Sequence, residues 1–161
     1  MNKTFGIAFG AALVVIIILI WTGFVRTAGN HLAPTGNIGK VRTVAAADDL
    51  SYMVIDFSVR NDSDRDMIVR SVEAEIDTSG GDALMGSPVA ATDVAAAFQS
   101  YPVLGQQYNP VLKERDKVPA HASLDRMVGI RIDAPIAKVD NRRQVILRVE
   151  DITGPVLELK K

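Results

Sequence analysis

Cysteine is absent from the chain, and histidine occurs only twice. The first absence removes disulfides, thiol catalysis and thiolate metal sites, so a domain exported from the cell would hold together by core packing alone. The second leaves little for acid–base work. His31 lies in a stretch rich in Gly, Pro and Asn, and His121 follows Pro119-Ala120, with no carboxylate or nucleophile set beside either by spacing. His121, Ser123 and Asp125 alternate along one predicted strand, so they project in parallel and do not converge as a triad must. An excess of one charge is missing too. The chain has 18 Lys and Arg against 19 Asp and Glu, which gives nucleic acid no basic field to follow. No phosphate-cradling loop occurs, because "SGGDALMG" follows a strand without opening a helix. These absences predict a non-enzyme with no catalytic residues, no cofactor and no metal.

The strongest positive signal is apolar. From Phe5 to Val25, "FGIAFGAALVVIIILIWTGFV" holds no charged residue, and at ~1.5 Å per residue it makes a helix of roughly 31 Å, about one hydrocarbon core. A cleaved signal peptide competes with this reading, since Lys3 supplies a positive start. The run exceeds the ~7 to 15 residues of a signal h-region, however, and Arg26 stands where a small residue should precede a cut after Ala28. Residues 1–25 are therefore predicted to be an uncleaved transmembrane anchor. A tail this short, with the bulk of the chain behind it, places the N-terminus in the cytoplasm and the C-terminal domain in the periplasm or outside the cell. Trp21 suits an interfacial position or serves simply as another apolar residue. Gly6 and Gly10 form a G-x-x-x-G, a candidate contact for homodimerisation through the transmembrane helix.

Residues 26–40, "RTAGNHLAPTGNIGK", mix Gly, Pro, Asn and Thr and are predicted to be a flexible tether. Period-two patterning then takes over in residues 41–161. Met53, Ile55, Phe57 and Val59 share one face of a strand, and Ile68, Val72, Ala74 and Ile76 repeat the logic, with Arg70 interrupting the inward row. Leu124, Val128, Ile130 and Ile132 alternate between Pro119 and Pro135, and "RQVILRVED" and "PVLELKK" flank a hairpin turn at Ile152-Thr153-Gly154. The centre differs. "SGGDALMGSP" reads as loop, and "TDVAAAFQSYP" as a short helix capped by Thr92, favoured by Asp93 and stopped by Pro102. Six or seven short strands with clean alternation predict an all-β chain: an immunoglobulin-like antiparallel β-sandwich with one short helix in a central insertion, behind a transmembrane helix.

The segments "VIDFSVRNDSDRDMIVRSVEAEID", "VPAHASLDRMVGIRIDAP" and "QVILRVEDITGPVLELK" resemble the membrane-anchored or secreted immunoglobulin-like domains of bacteria, a group of unknown function. They are similar in layout to the water-stress and hypersensitive-response (WHy) domains of the late-embryogenesis-abundant type. The resemblance implies a β-sandwich over residues 41–161 and carries no catalytic motif.

Two constellations remain. In "NDSDRD", Asp62, Asp64 and Asp66, with Glu73 beyond them, fall at positions one, three, five and twelve of a calcium loop. Met67 stands where that loop needs glycine and Arg70 takes the ninth position, so a polar turn bonding its own backbone is the favoured reading. Asn61-Asp62-Ser63 is also a glycosylation sequon. Phe98, Tyr101 and Tyr108 gather in the insertion, where they either pack the helix down or present a partner-binding surface. The function expected is that of a non-catalytic binding or scaffold protein of the cell envelope, associated with the membrane and with a protein partner. The alternative is a stress-protective or cation-responsive structural domain that has no specific protein partner.

Overall fold

The computed structural model describes Leu13, Val14, Ile16, Ile17, Ile18, Ile20, Trp21 and residues 33–161. The chain divides into a unit Met1–His31 and a unit Leu32–Lys161. In the first, the described residues are helical and their apolar side chains are exposed. Among the described residues no helix is long and apolar enough to cross a membrane. Gly6, Gly10 and most of the predicted anchor lie outside the described residues.

The second unit is an antiparallel β-sandwich built from β1 (Thr35–Ala47), β2 (Leu50–Arg60), β3 (Met67–Thr78), β4 (Ala83–Pro88), β5 (Lys117–Val118), β6 (Ser123–Ile132), β7 (Arg142–Asp151) and β8 (Val156–Lys160). One sheet runs β1-β2-β6 and the other β3-β7-β8, with β5 at the start of β3. β4 joins the two sheets. Its residues Ala83–Gly86 pair with β3, and Ser87 and Pro88 pair with β6. Gly86 makes the crossing possible: a Cβ there would lie 2.2 Å from Ile130 Cγ2, so only a residue without a side chain lets β4 pass so close to β6.

The predicted alternation holds for β2, β6, β7 and β8. Met53, Ile55, Phe57 and Val59 meet Val128, Ile130, Ile132, Leu147, Val149, Leu157 and Leu159 in the core between the sheets. In β3 the prediction is half right. Val72, Ala74 and Ile76 point inward, but before them it is Met67 and Val69 that are buried, not Ile68. The β3–β7 register shifts between Val69 and Ser71, so Arg70 is the extra residue of a bulge that exchanges the two faces.

Four further expectations change. Thr35–Lys40, read as tether, is the first half of β1. Gly and Asn lower its intrinsic strand propensity, yet pairing with β2 and burial of Ile38 outweigh this. "ALMGSP", read as loop, is β4. The helix α1 (Ala91–Ser100) begins a residue before Thr92, which makes no capping bond, and Pro102 opens a 3-10 turn, Pro102–Leu104. A second short helix, α2 (Ile136–Asp140), follows Pro135 and buries Val139.

Candidate functional site

Helix α1 places Val94, Ala97, Phe98 and Tyr101 on one stripe at helical spacing. A helix of ten residues is marginal alone in water, and this stripe gives it a surface to hold. It packs with Leu104 and Val111 on the outer face of the β1-β2-β6 sheet, against Val44, Val54 and Met127. Residues 89–112 thus cover a face that alternation alone assigns to solvent. Gly129 permits the contact, since a Cβ there would meet Val94 Cγ2 at 2.4 Å and Val89 Cγ2 at 2.8 Å.

A buried ion pair lies beneath the insertion. Arg42 of β1 and Asp56 of β2 project outward from neighbouring strands, and their side chains are 6% and 11% exposed. Arg42 Nη2 donates to Asp56 Oδ2 at 2.5 Å. Its Nη1 donates to the carbonyl oxygens of Leu104 and Gln106 at 2.7 and 2.8 Å. Asn109 Nδ2 donates to Asp56 Oδ1 at 3.0 Å, and among the described residues the buried Arg42 Nε has no hydrogen-bond partner. The guanidinium carbon lies 4.9 Å from the centre of the Phe98 ring and 6.0 Å from that of Tyr108, within cation–π range. A charge taken out of water is costly unless it is paired and hydrogen-bonded. Here both groups have such partners, three of them supplied by the loop at Leu104–Asn109. That loop is therefore fixed to the sheet rather than merely resting on it.

Of the three aromatics singled out, Phe98 and Tyr101 are half-buried on the inward stripe, with the Tyr101 ring 6.4 Å from that of Tyr52. Tyr108 is 67% exposed, and so is Val103, at 76%. Arg42, Asp56 and Asn109 were not singled out in the sequence, where period two places Arg42 and Asp56 on a polar face. One sequence signal does mark the region: Val94 to Leu112 contains no charged residue.

Two adjoining clefts flank the insertion. The first, about 350 Å³, opens between the β4–α1 connection and Leu112–Glu114, with Val72 and Val128 at its floor. The second, about 420 Å³, is lined by Gln107, Pro110, Asp116 and Arg126 among others.

The "NDSDRD" turn is organised by its amides and hydroxyl rather than its acids. Asn61 is fully buried. Its Nδ2 donates to the carbonyls of Arg65, Val118 and Pro119, while its Oδ1 accepts from Ser63 N and Ser63 Oγ. A glycan on that nitrogen is incompatible with this arrangement. The acids diverge: Asp62 pairs with Arg60, Asp64 with His121 Nε2 at 2.9 Å, and Asp66 accepts from Ala120 N. Among the described residues no group of three or more His, Asp or Glu could hold a metal ion. At the adjacent β7–β8 turn, Asp151 is 1% exposed. Burial alone would raise its carboxyl pKa. Bonds from Thr153 Oγ1, Ile68 N and Thr153 N, with the charge of Arg65 nearby, outweigh burial and hold it below the ordinary carboxylate value.

No protein-family model matches the chain, and no curated protein matches it. Among solved structures it is similar to the Bacillus subtilis protein ycdA, assigned as a lipoprotein, at 11% identity and a TM-score of 0.46, over 82% of this chain and 38% of that one. The chain thus spans less than half the length of that protein. It is also similar to the secreted Mycobacterium tuberculosis protein MPT63, at 10% identity and a TM-score of 0.42, over 84% and 87% of the two chains. A β-sandwich protein of Clostridium difficile is similar at 16% identity and a TM-score of 0.32, over 81% of each chain.

Proposed function

We propose that the chain is a non-catalytic binding or scaffold protein of the cell envelope, an immunoglobulin-like domain held at the membrane by its N-terminal apolar run and working through the insertion at residues 89–112. The observation that carries this reading is the Arg42–Asp56 pair, which clamps the Leu104–Asn109 loop to a rigid sheet while Val103 and Tyr108 stay open to solvent. A preorganised loop loses little entropy on binding, and an exposed aromatic on a rigid frame is a common anchor for a protein partner. The uncharged run from Phe5 to Val25 supports the anchor, and with the N-terminus on the cytoplasmic side the sandwich lies on the far side. The sandwich is also compatible in layout with WHy domains, which would favour the structural, stress-protective role. The clamped, uncharged insertion favours binding.

The test is a photo-crosslinking side chain placed at position 108 of the full chain in intact envelopes, compared with one at Glu73 on the opposite sheet. Protein adducts from 108 and not from 73 are expected. Absence of adducts from 108 would remove the contact surface. Protease treatment of intact cells and spheroplasts tests location, and a sandwich protected in both would contradict the orientation proposed here.

A further inference from the structure

We propose that the two adjoining clefts beside the insertion form one binding site for a fatty-acid carboxylate, with its alkyl chain entering between the sheets and its head group on Lys113 and Arg126. The opening has a cause in the strand pairing. β3 changes neighbours along this edge, since Ala74–Asp77 pair with β4 while Val69 bonds Arg115 and Asp116. β6 changes neighbours too: Gly129 O accepts from Val89 N, whereas Met127 bonds Pro110 and Leu112. Val72 falls between the two partners of β3, and Val128 between those of β6. These two valines form the floor of the first cleft, with Pro88, Val89 and Leu112 around them. Both belong to the central core, so the cleft reaches the apolar layer between the sheets. Its volume of about 350 Å³ falls within the roughly 300–1,000 Å³ of ligand pockets. Walls of this kind favour an alkyl chain, because apolar area removed from water is the gain they offer.

The second cleft sets the sign of the head group. Lys113 and Ala91 line both clefts, and Lys113, Arg126 and Asp116 are the charged residues of the second. Among the described residues neither cation is in an ion pair, and Arg126 donates only to the carbonyl of Asp125. The acid is already engaged, because Asp116 Oδ2 accepts from Lys113 N at 2.9 Å. Glu114 is exposed on the rim of the first cleft, where it repels an anionic head and leaves the second cleft as its place. Asp93 of α1 lines neither cleft. The loop that carries Lys113 is also preformed. Arg115 has a φ of 66°, a left-handed conformation uncommon outside glycine. It is held there by Arg115 N donating to Val69 O at 2.8 Å and Asp116 N to Lys113 O at 3.1 Å. Strain of this kind persists only where its surroundings fix it, and it gathers at ligand sites. Binding therefore costs little ordering of this backbone.

The test is photolabelling of the full chain, held in zwitterionic phospholipid nanodiscs, with diazirine-bearing decanoic acid and with a trimethylammonium amphiphile of the same chain length. Adducts mapped by mass spectrometry to the segments around Val72, Leu112 and Val128, saturating and displaced by unlabelled decanoate, are expected from the acid alone. The Lys113→Gln, Arg126→Gln double variant should raise the half-labelling concentration by about tenfold or more, the effect of losing charged contacts to the head group, while Lys113→Arg should retain it. Ala90→Trp, at an exposed position on the first cleft, should block the chain and abolish these adducts. Equal labelling by the two head groups, or labelling indifferent to the double variant, would overturn the proposal at its head group. Labelling that does not saturate, or that survives Ala90→Trp, would overturn it at the cleft. Each of these failures leaves the contact surface at position 108 standing, since crosslinking from Tyr108 is read separately.

Discussion

Removing one member of the Arg42–Asp56 pair should be among the most damaging single changes available outside the central core. Asp56→Ala leaves a guanidinium that is 6% exposed with two carbonyl acceptors and no counter-charge. Breaking a buried pair in this way costs about 3–5 kcal/mol. Arg42→Ala strands the carboxylate instead, and also frees the carbonyls of Leu104 and Gln106, each hydrogen bond being worth roughly 1 kcal/mol net. In the Arg42→Met, Asp56→Leu double variant no charge is left behind, so its cost should fall below that of either single change. The assay is urea unfolding of residues 32–161, where a urea slope of about 1–3 kcal/mol/M turns the single-variant loss into a midpoint shift on the order of 1–5 M. Hydrogen exchange should quicken first at residues 102–109, because the pair fixes that loop. Single variants costing under about 1 kcal/mol, with a double variant equal to their sum, would mean the pair behaves as a surface salt bridge, and the clamp would be refuted.

Four other outcomes follow from particular contacts. Gly129→Ala pushes a Cβ into Val94 and Val89 and should cost about 1–3 kcal/mol, with exchange quickened in residues 91–104 and unchanged in β3 and β7. Asn61→Ala strips the buried donors from Arg65, Val118 and Pro119 and should cost on the order of 2–3 kcal/mol in the same unfolding assay. Asp64→Ala, which removes only an exposed pair with His121, should cost less than about 1 kcal/mol, and neither change should create or abolish a calcium response in calorimetric titration. The lowered pKa of Asp151 contributes stability that is present above its unfolded value of about 3.9 and is lost as pH falls through the lower folded value. Melting temperatures of wild type and Asp151→Asn should therefore differ at neutral pH and converge in acid. A constant gap would contradict the assignment.

Alternation made β2, β6 and the β7–β8 hairpin legible, because each buries one face in the central core and period two reports that burial directly. It failed where backbone geometry or a distant segment decides. The bulge at Arg70 reversed the phase of β3, and the glycines of β1 and β4 hid strands whose close approach to Ser58 and Ile130 requires them. Arg42 and Asp56 occupy outward positions, and nothing local in the sequence says that residues 89–112 fold back to cover them. The uncharged run from Val94 to Leu112 was the available clue. Its meaning depends on seeing which side chains the helix and the turn after it bring inward and which, like Val103, they leave exposed.

In the function proposed above, the insertion is the working surface and the Arg42–Asp56 pair holds it ready. Photo-crosslinking from position 108 in the Arg42→Met, Asp56→Leu double variant tests both parts together, with protease resistance confirming that the sandwich stays folded and anchored. Loss of the wild-type adduct from a folded domain is the predicted result. An undiminished adduct would show that the surface does not depend on the clamp and would contradict the account.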